Sequence, residues 1–153
     1  MNLSPNFTLE ELTHSEVAER KNLDNTPNAS EVANLTRLAA LLEQVRTLLG
    51  KPIMINSGFR SKPVNDSVGS KDTSQHRIGC AADIRVPGMT PKQVVEACIA
   101  SDIPFDQIIE EFSSWTHISV PNGTADKPRR QALIIDKAGT RPFQWKKPSE
   151  EGS

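Results

Sequence analysis

An α+β domain is what this sequence predicts, and three observations predict it. Apolar residues recur at helical spacing along one long segment before Gly50. A second, proline-led segment after Met89 carries helix-start signals, and short β-branched runs broken by turn residues fill much of the rest. The expected arrangement is an antiparallel sheet packed by two main helices.

Thr8 has Glu11 three residues later, the capping-box spacing, so a short helix should start just after Phe7. Asp24-Asn-Thr-Pro27-Asn reads as a loop. From about Asn28 to Leu49, the residues Val32, Leu35, Leu38, Leu42, Val45 and Leu49 step by three and four, which is one face of an amphipathic helix that Gly50 and Pro52 then stop. Pro52 to Asn56 reads as a short buried strand, and Ser61 to Thr73, with Pro63, Asn65, Asp66 and Gly69, as an irregular loop forming a cleft wall. Gly79 to Val86 reads as a strand whose alternation puts Ala81, Asp83 and Arg85 on one face and Cys80, Ala82 and Ile84 on the other. Thr90-Pro91-Lys-Gln93 combines an N-cap, a first-turn proline and a capping glutamine, which predicts a helix from Pro91 to about Ser101. Asp106 to Phe112 and Trp115 to Val120 pair as a hairpin around Ser113 and Ser114, and Arg130 to Asp136 supplies one more strand.

At 153 residues the chain is expected to be one domain with a single sizeable core, ending in a polar, mobile tail over 146–153. Eighteen basic residues against nineteen acidic ones leave a net charge of -1, which offers no electrostatic case for nucleic acid or an anionic membrane as partner. No apolar run approaches the roughly 20 residues of a membrane span, and Met1 to Phe7 lacks the basic and apolar regions of a signal peptide. The expectation is a monomer that is cytoplasmic at synthesis. Two cysteines are too few for a disulfide framework: alternation turns Cys80 away from Asp83, and Cys98 falls among helical core positions.

His76, Asp83 and His117 are the residues with metal chemistry. Zinc takes imidazole nitrogen and carboxylate oxygen, and a catalytic site keeps three protein ligands with one position open, a count these residues supply for one ion. Gly79 would let the backbone turn so that His76 comes back over the strand, and Ala81 leaves room beside Asp83. His14 has no ligand spacing around it and reads as a surface or cap histidine. Arg60, in a glycine-containing turn just past a strand end, can aim its fork of donors at a carboxylate in the cleft or close an ordinary salt bridge. Ser74 can donate to substrate or hold the histidine loop, and Trp115 can wall the cleft or pack in the core. A hairpin loop of Ser113 and Ser114 alone puts Glu110 opposite His117, whereas a loop of Phe112 to Ser114 puts Glu111, and with it Gln107, on the His117 face.

Ser74-x-His76-x-x-Gly79-x-Ala81-x-Asp83, preceded by Ser57-Gly-Phe-Arg60-Ser and followed by Trp115-x-His117-Ile-Ser, resembles the M15 family of zinc D-Ala-D-Ala carboxypeptidases and peptidoglycan endopeptidases, more narrowly its bacteriophage branch. The same metal cluster occurs in the hedgehog signalling domain. The likeness runs over about 7–120 and leaves 121–145 as a C-terminal strand and extension. It implies a zinc peptidase acting on peptidoglycan stem peptides, next to D-alanine, in the manner of a phage endolysin reaching the cell wall during lysis. L-Ala-D-Glu endopeptidase activity, or a non-catalytic metal module of a phage particle, are the alternatives. The resemblance further implies His76, Asp83 and His117 as metal ligands, Glu111 as catalytic base, Arg60 as the group orienting substrate or transition state, and Ser74, Gln107 and Trp115 along the substrate. Where other members carry Glu-x-x-His, this chain has Ser114, and the glutamate directly before Phe112 is the feature shared with the phage branch.

Overall fold

A computed structural model describes residues 1–144, so the tail expected over 146–153 lies outside the described residues. The long helix forms as its stripe demands. Asn28 caps it, accepting from the Glu31 amide at 2.8 Å while the Glu31 carboxylate accepts from the Asn28 amide, and Gly50 ends it at φ 62°. In chain order the elements are β1 (Asn2–Ser4), β2 (Phe7–Thr8), α1 (Leu9–Thr13), α2 (Glu16–Lys21), α3 (Ala29–Leu49), β3 (Met54–Ser57) and α4 (Lys62–Ser67). A 3-10 turn (Gln75–Ile78) then leads to β4 (Ala81–Arg85), α5 (Pro91–Ile99), β5 (Gln107–Glu111), β6 (Trp115–Ser119), β7 (Gln131–Asp136) and β8 (Gly139–Pro142).

Six strands make one sheet in the order β3-β4-β6-β5-β7-β8, antiparallel throughout except for the parallel pair β5/β7. The sheet is therefore mixed and mostly antiparallel, because the chain leaves β6, crosses over and returns alongside β5 in the same direction. One face is the core: Ala82, Ile84, Ile108 and Ile118 are fully buried against Leu35, Leu38, Leu42 and Val45 of α3 and Val94, Val95 and Cys98 of α5. Among the described helices only α3 and α5 exceed six residues, and they are the two that back this face. Alternation leaves the opposite face free for polar side chains.

Several expectations from sequence need correction. The strand after Pro52 is a half-exposed edge rather than a buried one, with Met54 58% exposed, because β4 pairs it on one side only. Residues 61–73 are not irregular throughout: Pro63 sits in the first turn of α4, which buries Val64 and Asn65. β8 and α2 had no clear sequence signal, being short elements held by their neighbours.

Asp106 is one of the points that pin the 121–130 connection. Asp106, 4% exposed, accepts from the Arg129 backbone amide at 3.0 Å, from Arg129 Nη2 at 2.7 Å and from Gln75 Nε2 at 3.1 Å. Burial alone would raise its carboxyl, but the Arg129 bonds outweigh this and hold it below the usual carboxylate value. A depressed pKa means that its stabilisation is fully present above about pH 4 and is lost as pH falls through the lowered value. Asp106→Asn should cost about 1–3 kcal/mol near neutral pH. Urea denaturation of both proteins across pH should show this difference closing as acid neutralises Asp106 in the parent.

Candidate metal centre

His76 is presented by the 3-10 turn, and that turn is held from every side. Ser74 Oγ accepts from the His76 amide at 3.3 Å, the Cys80 amide donates to the Gln75 carbonyl at 2.9 Å, and the Arg60 amide donates to the His76 carbonyl at 3.0 Å. Helix α3 grips the same turn through Asn34 Nδ2 on the Ile78 carbonyl at 2.8 Å and through the Arg77–Glu31 ion pair at 3.1 Å. Gly79 closes it at φ 83°, and a Cβ there would stand 2.8 Å from the Glu31 carbonyl oxygen, so this position admits only glycine without displacement.

Asp83 and His117 need no such scaffold, because the ladder aligns them. They are direct cross-strand partners in β4/β6, on the face opposite the core. The result is a buried group of three: His76 is 3% exposed, Asp83 6% and His117 8%. Their ligand atoms all lie within 4.8 Å of one another. His76 Nε2 is 3.3 Å and His117 Nδ1 3.1 Å from the same Asp83 Oδ1.

The donor set fits a metal. His76 Nδ1 lies 2.7 Å from the Gly58 carbonyl, which can only accept, so the proton sits on Nδ1 and the lone pair of Nε2 faces the Asp83 carboxylate. Two acceptors aimed at each other inside a buried pocket require a cation or an extra proton between them. In a tetrahedral zinc site with bonds of about 2.0–2.1 Å, neighbouring ligand atoms stand about 3.3 Å apart, close to the two separations seen here. Gly58 performs the outer support that metal-bound imidazoles need. Its own role as glycine is one of access, since a Cβ there would sit 2.3 Å from the Leu12 carbonyl oxygen. Burial would raise the Asp83 carboxyl, yet with that extra proton in place the charge and hydrogen bonds of the two imidazoles outweigh it and hold the group well below the usual carboxylate range.

Around the three lie the other expected residues. The hairpin loop runs from Phe112 to Ser114, with Phe112 and Ser113 at φ 53° and 54°, so Glu111 pairs with Trp115 and Ile109 with His117. Glu111 is thereby on the cluster's face and Glu110, opposite Thr116, is on the other. Trp115 Nε1 donates to Glu111 Oε2 at 2.9 Å, and Glu111 Oε1 stands 3.8 Å from His117 Nδ1. Burial, and next the Asp83 charge, push the Glu111 carboxyl up against the opposing pull of His117, Trp115 and Arg60. Arg60 Nη2 lies 3.4 Å from Asp83 Oδ2 and its Nε donates to Ser57 Oγ at 3.2 Å. Ser74 and Gln107 line, with His117, a cleft of about 610 Å³ on the β5/β7 side. Gln107 Nε2 donates to Gln131 Oε1 at 2.6 Å.

Three residues stay out of the cluster. Exposed His14 caps α1 and lies 3.5 Å from Glu19. Cys80 is buried on the far side of β4, where burial raises its thiol, and burial pushes Cys98 up to about 12, so neither offers a thiolate near neutral pH. Sequence reasoning missed the Gly58 carbonyl, the Asn34 and Glu31 clamps and the Trp115–Glu111 bond. Of these, only Glu31 had a readable signal, as the capping partner of Asn28.

The family model of peptidase M15 matches residues 5–119. A zinc D-Ala-D-Ala carboxypeptidase of Streptomyces albus G is 37% identical over 82 residues, 52% of this chain and 31% of that protein. The matched part thus spans less than a third of that relative's length.

Zinc at 100 times its dissociation constant should stabilise the chain by about 2.7 kcal/mol, a rise of about 5–10 °C in melting temperature. Differential scanning calorimetry should show this rise in the parent and its loss in His76→Ala, Asp83→Asn and His117→Ala.

Proposed function

The chain belongs to the peptidase M15 family, and on that premise we propose that it is a zinc-dependent peptidase of peptidoglycan stem peptides, of the D-Ala-D-Ala carboxypeptidase type. The observation that carries the reading is a carboxylate, Glu111, held beside three convergent buried ligands but outside their set. His76, Asp83 and His117 would hold the ion. Bound there, zinc supplies Lewis acidity, polarising the amide carbonyl and lowering the pKa of water to about 7.

The chain's own groups account for the rest. Glu111 takes the proton from the attacking water and returns it to the leaving amine, and its raised pKa suits it to both transfers. Trp115 fixes that carboxylate by occupying Oε2, which leaves Oε1 on the His117 side. Arg60 steadies Asp83 through one terminal nitrogen and has further donors for the oxyanion that develops in the cleft. Ser74 and Gln107 border the strip in which the peptide would lie. The bacteriophage setting belongs to the same proposal and is supported by the glutamate directly before Phe112, the feature the chain shares with the phage branch.

One observation favours a second reading, an L-Ala-D-Glu endopeptidase with the same site. A cleft borders the cluster on each side, one containing His117 and the other Arg60, so a peptide can continue past the scissile bond in both directions. Mass spectrometry of digested muropeptides separates the two, since only the carboxypeptidase releases free D-alanine.

Turnover of a D-Ala-D-Ala peptide should vanish with chelator and return with zinc. Glu111→Gln should lower kcat at least about 10²-fold with zinc binding retained. Glu110→Gln, on the other face, should stay within about twofold of the parent. Retention of activity in Glu111→Gln would remove it as the base. Trp115→Phe, which keeps the ring and loses the N–H, should lower kcat by about tenfold with KM little changed, the size of one missing hydrogen bond to a charged group.

A further inference from the structure

We propose that the cleft on the β3 side of the metal centre is an anion subsite, in which Arg20 and Arg85 bind a carboxylate of the peptide within about two residues of the scissile bond. This rests on the peptidase reading above. The cleft, of about 540 Å³, opens between β3, α2 and α4, and Ile55, Ser57 and Val64 contribute to its walls along with three arginines.

Those arginines differ in what they are free to do. Arg60 is engaged by Asp83 at 3.4 Å and Ser57 at 3.2 Å. Arg85 spends only Nε, on the Ser114 carbonyl at 3.2 Å, and among the described residues its two terminal nitrogens have no partner. Arg20 forms no side-chain hydrogen bond or ion pair with any described residue and lines the same space. Glu16 is the one carboxylate in the lining and pairs with neither, and His14 is drawn off to Glu19 at 3.5 Å. With a net charge of -1 on the whole chain, this is a local concentration of unpaired guanidinium and not part of a basic surface.

Register sets the reach. Arg85 follows Asp83 by two residues on the same face of β4, about 7 Å along a strand that rises about 3.3 Å per residue. An extended substrate rises at the same rate, so a group two residues from the reacting carbonyl comes level with Arg85. The planar fork of donors matches a carboxylate in bidentate fashion. Either a side-chain carboxylate or the chain-terminal one has this chemistry.

Isothermal titration calorimetry of the chelated protein with the dipeptide L-Ala-D-Glu, its two mono-amidated forms and its diamide tests the assignment. The dipeptide should bind about tenfold more weakly to Arg85→Gln and about 100-fold more weakly to the Arg20→Gln/Arg85→Gln double variant, a step of about tenfold for each charge-assisted hydrogen-bonding arginine removed. Its affinity for the parent should also fall as salt rises. The amidation that alone removes the difference between parent and double variant identifies which carboxylate is held. Equal binding of dipeptide and diamide by the parent, or unchanged dipeptide binding by the double variant, would overturn the subsite. The peptidase reading is scored separately, by zinc-dependent hydrolysis of a longer neutral peptide: both parent and double variant should cleave it. Arginine-dependent binding without any hydrolysis would leave the subsite standing and remove the peptidase.

Discussion

Two imidazole nitrogens converge on one carboxylate oxygen, and the rest of the molecule is arranged to make that tolerable. The Gly58 carbonyl fixes the His76 proton on the far nitrogen, so the near one meets Asp83 as an acceptor. Left alone in a buried pocket, such an arrangement is unfavourable, because His76 Nε2 and Asp83 Oδ1 lose water and face each other as acceptors. A divalent cation would turn the same geometry into a binding site. Its binding energy would then stabilise the folded chain, which is how metal affinity and folding become coupled.

The sheet makes the convergence possible by separating two tasks onto two faces. One face of β4 and β6 buries Ala82, Ile84 and Ile118 against α3 and α5, and the other carries Asp83 and His117 in direct pairing. A slip of one residue in either strand would turn its side chains over and send Asp83 or His117 into the core, so the hydrophobic pattern itself protects the register. His76 has no ladder to rely on. Its place comes from α3, through Asn34, Glu31 and the tight approach at Gly79, so the longest helix serves both the core and the metal centre.

The surrounding charges form a graded set. Asp83 is kept ionised by its imidazole neighbours and steadied on its second oxygen by Arg60, whereas Glu111, a few ångströms away, is pushed up by burial and by the Asp83 charge. The two carboxylates are thus displaced in opposite directions from the ordinary value. The segment beyond the family match also takes part: β7 pairs in parallel with β5, the Ile135 carbonyl accepts from the Phe112 amide at 2.8 Å, and Leu133 and Ile135 line the cleft. That pairing anchors a hairpin loop whose residues Phe112 and Ser113 hold left-handed backbone, a conformation that needs outside support in residues with a Cβ.

Much of this was legible in the chain because it depends on local rules. The stripe from Leu35 to Val45, the capping signals at Thr8 and Thr90 and the alternation around Asp83 act over a few residues, and each produced its helix or strand. The choice between Glu110 and Glu111 was different, because a two-residue and a three-residue loop are both compatible with Phe-Ser-Ser, and only pairing with β6 and β7 selects one. The same holds for the parallel placement of β7, for β3 as an exposed edge, and for the Gly58 carbonyl behind His76. Sequence alone determined which side chains carry ligand chemistry and which face of each element they occupy, since periodicity is a property of the local backbone. Tertiary structure decided which of those faces meet and what stands behind each ligand, since these are long-range contacts between segments far apart in the chain.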